Sequence, residues 1–400
     1  MPAVDHLLAV AEALENDGPV TVLGRGRRLD AWWASLVNGE AGHVLDFDDS
    51  LLPPAPLHPS AAVLPAVLAL GEWRHCDGRR ALLAATVGVD VACRSALAFG
   101  QSHMDRGFHG TGTVGSIGAA AAAAILLRLD VERTVHALGL AASQGSGLRA
   151  FHGSMTKGFQ AGKAAANGVL AALLAERGFD SGDDFYESPR GLSRAMTERL
   201  APEVLLRNLG QEWLNLRLVF KPYPTGVVTH SVIDAMLDLR ARGLRAEQVE
   251  RIELAVHPEV LDATGKTALN TELDAKFSVY HCAAVALLDG EVAIAQVTRP
   301  RIDQADVVAL SRRIVATLGP GLGPDQARAT VTRRDGSQIA AVVEHSRGTA
   351  QNPLTDEQLA RKFHVLADGV LGPERAARLA SRVWAFEDIA DLAEVAALAG

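Results

Sequence analysis

Residues 115–129 read GSIGAAAAAAILLRL and residues 161–178 read AGKAAANGVLAALLAERG. Both runs carry small and aliphatic residues on every side and lack the polar stripe of a surface helix, so each predicts a buried helix. Residues of this size let helix backbones approach closely, and two such runs in one segment predict a bundle of helices in contact. The second run, roughly 159–177, ends at Gly178, a residue suited to a helix C-terminal cap. Two more helices flank them. One begins at Pro59-Ser60, with Val63, Leu64, Val67 and Leu68 at helical spacing, and one runs through VERTVHALGLAAS, residues 131–143.

The texture changes near Phe220. Two prolines around Tyr223 in KPYP, residues 221–224, remove donors and end any helix. A helix THSVIDAMLDLRARG follows, with Thr229 as its expected cap. In VERIELAVHPEV, Ile252, Leu254 and Val256 then alternate at strand period. ATVTRRDGSQIAAVVEH predicts a hairpin turning at Asp335-Gly336. Helical texture returns after Asn352-Pro353, where Thr355 and Gln358 have capping-box spacing ahead of Leu359 and Phe363. The expected organisation is a helical domain over 1–216, an α+β domain over 217–350 and a helical tail over 351–400. The fold class is therefore mainly α with an inserted α+β domain.

The chain has 400 residues, 48% hydrophobic and 22% charged, which is enough apolar material for one large or two moderate cores. Its net charge of −8, with no basic block, argues against a nucleic-acid partner. An anionic substrate would need a local positive pocket on an acidic protein. Three dispersed cysteines, Cys76, Cys93 and Cys282, suggest neither a disulfide framework nor a zinc or iron–sulfur site, and fit a reducing, cytoplasmic setting. The N-terminus lacks the basic start and apolar core of a secretory signal, and the alanine-rich stretch 114–129 is shorter than the ~20 residues of a bilayer span. No HExxH, paired CxxC, EF-hand loop, GxSxG or P-loop occurs, so no metal or cofactor is expected.

Acid–base chemistry by His, Asp, Lys and Tyr remains, in four clusters. In HVLDFDDSLLPPAPLHPS, residues 43–60, the carboxylates Asp46, Asp48 and Asp49 precede His58, and a carboxylate beside an imidazole can orient it as a base. The same loop equally reads as capping chemistry. In RGFHGTGTVGSIG, His109 stands among glycines at a helix entrance, either at a ligand or at a helix crossing. In SGLRAFHGSMTKGFQAGKAAANG, Lys157 is placed just before a helix N-terminus, where a cation is unfavourable without a nearby anion, and Lys163 reads as a surface side chain. His152 reads as a loop residue or a pocket wall. In FKPYPTGVVTHSVIDA, Lys221, Tyr223 and His230 surround a turn at the domain boundary, as substrate ligands or as buried structural groups.

NGEAGHVLDFDDS with HPSAAVLPAVLALGE, then GFHGTGTVGSIGAAAAAA, TKGFQAGKAAANG, FKPYPTGVVTH and AKFSVYHCAAVALLDG, in that order over about residues 35–390, resemble the MmgE/PrpD family. That family includes 2-methylcitrate dehydratase, cis-aconitate decarboxylase and iminodisuccinate epimerase. The resemblance implies a helical domain built from both chain ends, a smaller α+β lid domain, a site between them, a homodimer and no cofactor. By motif position it carries over Asp48, His58, His109, Lys157 and Lys221; the expected catalytic residues are Asp48, His58, His109 and Lys157, with Asp48 orienting His58, and the expected substrate-binding residues are Lys221 together with Tyr223 and His230 of the same cluster and Tyr280 and His281. A tyrosine that some decarboxylases carry falls on His281, with Tyr280 adjacent, and a histidine they carry falls on Gly226. Family members usually begin some tens of residues earlier. The implied activity is dehydration of a 2-methylcitrate-like hydroxy acid. The alternatives are decarboxylation of a cis-aconitate-like acid, epimerisation of an iminodisuccinate-like acid, and a non-catalytic dimeric scaffold that binds an acidic metabolite.

Overall fold

A computed structural model describes residues 1–400. It is mostly helical with one small mixed sheet, and the chain divides into two compact units, Met1–Leu218 with Thr355–Gly400, and Val219–Leu354.

In the first unit the helix Gly110–Leu126 is the axis. Sixteen of its seventeen residues are buried, among the helices Pro59–Trp73, Gly78–Asp105, Val131–Gln144 and Thr156–Glu176. Because its side chains are nearly all Gly, Ala, Ser, Thr or Val, the surrounding helices can pack on every face. The helix Ala31–His43 packs closely against Thr156–Glu176 as well. A Cβ added at Gly39 would stand 2.5 Å from the Gly162 Cα, and one at Gly162 would collide with the Leu36 carbonyl. The pair of glycines therefore sets the spacing between the two helices that carry the polar cluster described below.

Gly78–Asp105 is long and apolar enough to cross a membrane, yet most of its apolar stretch is buried within the unit. It is broken at Gly100, where φ is +63°. It also carries a buried ion pair, Arg94 Nε to Asp90 Oδ2 at 2.5 Å. Arg94 donates onward to the Arg207 and Glu212 carbonyls, and Asp90 accepts from the Leu214 amide. The pair thus anchors an irregular return strand by satisfying its backbone. The three cysteines are buried free thiols.

In the second unit the sheet runs Ile314–Leu318, Val249–Val256, Ala327–Arg333, Gln338–Val343 in spatial order. The first pair is parallel and the others antiparallel, with Ile252 opposite both Ile314 and Val331. Ile252, Leu254 and Val256 are the buried face, and the expected turn at Asp335-Gly336 joins the last two strands. The helix His230–Ala241 covers this sheet and packs on Val279–Asp289. Thr229 precedes that helix without capping it. Its hydroxyl donates to the Gly226 carbonyl at 2.8 Å, closing a short 3-10 turn instead. The capping box at Thr355 and Gln358 forms as expected.

The glycine spacing is testable. Gly162→Ala should lower stability in urea denaturation by about 1–3 kcal/mol through overpacking. Gly42→Ala, on the same face-to-face helix pair but with open space around its Cβ position, should raise it by about 0.5–1 kcal/mol.

Candidate active site

His58 and His109 both occupy N-cap positions, of helices Pro59–Trp73 and Gly110–Leu126, and neither side chain caps its helix. The backbone turns needed to start the two helices therefore leave both imidazoles directed elsewhere. The His58 amide donates to Thr111 Oγ1 at 3.1 Å, which ties one helix start to the other. His43, the last residue of Ala31–His43, has its ring centroid 4.6 Å from that of His58 and 6.3 Å from that of His109. His152 stands edge-on to His109 at 4.8 Å. Four imidazoles from three helix ends and a loop thus form one run.

Hydrogen bonds assign their tautomers. Gln160 donates its amide nitrogen to the Leu148 carbonyl at 3.2 Å, so its Oε1 faces His109. His109 Nδ1 lies 2.6 Å from that oxygen and must be the donor, leaving the lone pair on Nε2. His43 Nδ1 donates to Asp48 Oδ2 at 2.7 Å, and His58 Nδ1 donates to the Asp49 carbonyl at 2.9 Å. All three rings present Nε2 as the basic nitrogen. Burial, with His43, Lys157 and His58 adding positive charge nearby, holds His109 well below the usual imidazole range, so it is neutral. Burial likewise pushes His152 down to about 2, with His109 and Lys157 contributing.

Asp48 is closer to His43 than to His58, whose Nδ1 is 3.5 Å from Oδ2. The expectation that Asp48 orients His58 is corrected accordingly: the Asp49 backbone carbonyl does so. The Asp49 carboxylate holds the helix start by accepting from Ser60 Oγ at 2.5 Å, which is the capping reading of that loop. Lys157 is the second residue of Thr156–Glu176, inside the helix rather than before it. Its anion is Asp46, with Nζ to Oδ1 at 3.0 Å and both groups buried. Asp46 reaches Lys157 from a left-handed backbone conformation, φ +54°. Lys163 is half-buried over the Trp32 ring, 5.8 Å from its centroid.

Sequence reasoning missed His43, Glu40 and Gln160. Glu40 is fully buried one turn before His43, and neither of its oxygens has a hydrogen-bond partner. A Cβ at Gly158 would stand 2.7 Å from both oxygens, so glycine at that position is what admits the carboxyl. Burial raises the Glu40 carboxyl to about 7. An apolar-helix residue type found polar was the available signal for both Glu40 and His43.

His43, Asp48 and His58 have ligand-type atoms within 4.8 Å of one another and could hold a metal ion. In the hydrogen-bond pattern present, the Nδ1 proton of His43 faces Asp48 and that of His58 faces the Asp49 carbonyl, and an ion bound through these nitrogens would replace both bonds.

The remaining expected residues belong to the second unit. Lys221 is fully buried. Tyr223 donates to Asp234 and accepts from Arg347, and its ring meets His230 edge-on at 5.2 Å. Tyr280 and His281 line a cavity of about 520 Å³ with Thr267, Val307 and Ile314. His281 Nε2 is bonded to the Gln296 carbonyl at 2.8 Å.

The MmgE/PrpD N-terminal domain model matches residues 1–204 and the MmgE/PrpD C-terminal domain model matches residues 223–388. The chain is 29% identical to cis-aconitate decarboxylase of Mus musculus over 93% of its own length and 79% of the mouse protein. It is 30% identical to that of Homo sapiens over 91% of its length and 78% of the human protein. Identity to cis-aconitate decarboxylase of Aspergillus terreus is 26%, over 98% of this chain and 86% of the fungal one.

Glu40 makes stability depend on pH. The carboxyl protonates near 7 in the folded protein against an ordinary 4.5, so between those values the folded state binds more protons than the unfolded chain. Stability should therefore fall as pH rises from about 4.5 to 7, by up to about 3 kcal/mol, and level off above. Chemical denaturation at several pH values checks this, and Glu40→Gln should flatten the interval.

Proposed function

We propose, from the chain's membership of the MmgE/PrpD family, to which it belongs, that it is a lyase removing CO₂ from a cis-aconitate-like tricarboxylic acid by side-chain acid–base chemistry. The observation that carries the reading is the run of imidazoles sharing one tautomer beside the Lys157–Asp46 pair, in a chain that aligns over nearly its whole length with cis-aconitate decarboxylases. When a carbon–carboxylate bond breaks, its electron pair passes into a system conjugated with a remaining carboxylate. Positive charge and donors lower the energy of that carbanion, and an imidazolium then delivers a proton to carbon. Lys157, paired with Asp46, is the ammonium donor beside the imidazoles, whose Nε2 atoms, basic in the resting rings, take up and deliver the proton. The proposal extends to a homodimer, which sedimentation would check.

Two positions favour a second reading, loss of water from a 2-methylcitrate-like hydroxy acid. Gly226 stands where some decarboxylases of the family carry a histidine, and its Cβ position is closed by Thr264 Cγ2 at 3.0 Å and the Phe277 ring at 3.3 Å. His281 stands where they carry a tyrosine and is bonded to backbone. A different complement of donors suits a different leaving group.

Incubation with a panel of di- and tricarboxylic acids in D₂O, followed by NMR, separates the readings: CO₂ loss with deuterium at carbon supports the first, water loss the second. No change in any acid removes both. His109→Gln should lower kcat by about 10²–10⁴ with little change in KM, the range of a general acid–base group. Unaltered turnover would remove His109 from the chemistry.

A further inference from the structure

Four consecutive residues of the loop after His43 are each held by side chains from elsewhere in the same unit. Lys157 Nζ holds the Asp46 carboxylate at 3.0 Å, and His43 and His58 face the Asp48 carboxylate at 2.7 and 3.5 Å. Ser60 donates to the Asp49 carboxylate, and His58 to the Asp49 carbonyl. The remaining residue, Phe47, is held by Lys362, 315 positions later in the chain. Lys362 Nζ donates to the Phe47 carbonyl at 2.6 Å and stands 4.1 Å from the centroid of the Phe47 ring. One ammonium thus grips both the backbone and the side chain of one residue, through a charge-assisted hydrogen bond and a cation–π contact.

Where the grip falls matters more than its strength. The Phe47 carbonyl belongs to the planar peptide that joins Phe47 to Asp48, so fixing its oxygen fixes the plane from which the Asp48 side chain departs. On the other side Asp46 is in the left-handed backbone region, φ +54°, a costly conformation for a residue with a side chain and one that needs holding from both ends. Lys362 belongs to the helix Asp356–Leu371, which lies on the surface of the unit: none of its residues is fully buried, and Phe363 and Leu371 pack on the core only in part. A lysine on such a helix ordinarily directs its ammonium to water. This one is half-buried and places it on the loop. We propose that Lys362 is a positioning residue of the candidate active site: it holds the Phe47–Asp48 peptide, and through it the placing of Asp46 and Asp48 about the imidazoles. It acts through the loop and not on the substrate. Its part in turnover rests on the lyase reading above, whereas its hold on the loop does not.

Lys362→Met keeps the reach of the side chain and removes the ammonium, and Lys362→Arg keeps a cationic donor. Hydrogen exchange of the full-length protein, followed by mass spectrometry, reads the loop without any substrate. Segment 44–48 contains the Val44 and Asp46 amides, bonded to the Glu40 and His43 carbonyls. In Lys362→Met this segment should exchange about 10–100-fold faster, the effect of losing one hydrogen bond to a charged group, while Asp356–Leu371 stays within about threefold and Lys362→Arg restores the wild-type rate. With whichever acid of the panel reacts, Lys362→Met should lower kcat by about 10–100-fold at a KM within about threefold, because a misplacement of about 1 Å can cost that much. Lys362→Arg should recover most of the loss. Wild-type exchange at 44–48 in Lys362→Met would overturn the proposal, as would an unaltered kcat. So would faster exchange across Asp356–Leu371 with no rescue by arginine, the mark of a helix that has only lost packing. Should Lys362→Met fail to fold, Phe47→Leu removes the ring and keeps the carbonyl, and 44–48 should again exchange faster than in the wild type; equal exchange there counts against the proposal. Faster exchange at 44–48 with no acid turned over supports the hold on the loop and counts against the lyase reading alone.

Discussion

The Asp46–Lys157 ion pair is the constraint on which the polar cluster depends. It is buried on both sides, and removing one partner of such a pair typically costs about 3–5 kcal/mol, because the other is left charged without compensation. Its structural consequence is larger than its energy. By holding Asp46 to the first turn of Thr156–Glu176, it fixes the path of the next three residues, so that Asp48 meets His43 and the Asp49 carbonyl meets His58. Gln160, one turn further along the same helix, orients His109. One helix end thereby sets, directly or through the loop it pins, the acceptors of three imidazoles.

That arrangement requires the helices to be close, and closeness comes from residues with almost no side chain. Gly39 against Gly162 brings Ala31–His43 onto Thr156–Glu176, and Gly158 leaves the space that Glu40 fills. The same packing excludes water from the groups between the helices. Exclusion is what raises Glu40 to about 7 and holds His109 and His152 down, so the protonation states follow from the packing rather than from any special residue.

Much of the fold was legible because it rests on local patterns: the apolar runs at 115–129 and roughly 159–177, which fall on the helices Gly110–Leu126 and Thr156–Glu176, the period-two alternation at Ile252, Leu254 and Val256, and the Thr355 capping box. Thr229 was misread because its hydroxyl found a nearer acceptor in the Gly226 carbonyl, a competition that residue type does not reveal. Within the site, His58 and His109 stood out because proline and glycine punctuate the helix starts they precede. His43 did not, since it closes a helix whose boundary has no such mark, and its partner lies five residues on, beyond a turn. Pairing Asp48 with His58 was the natural inference from a shared loop. The distances reverse it because the loop folds back on the helix it leaves.

The protonation of Glu40 bears on what the cluster can bind. Lys157 and Asp46 cancel, and Asp48 is held by the Nδ1–H of His43. A neutral Glu40 adds no charge to these groups, whereas an ionised one would add a buried negative charge that an incoming polycarboxylate would have to approach. At about 7 the carboxyl sits where this balance can shift, and every donor in the cluster that could counter an anion works best while Glu40 keeps its proton. The fold therefore tolerates an unbonded acidic group beside its imidazoles by making the charged form of that group the costly one.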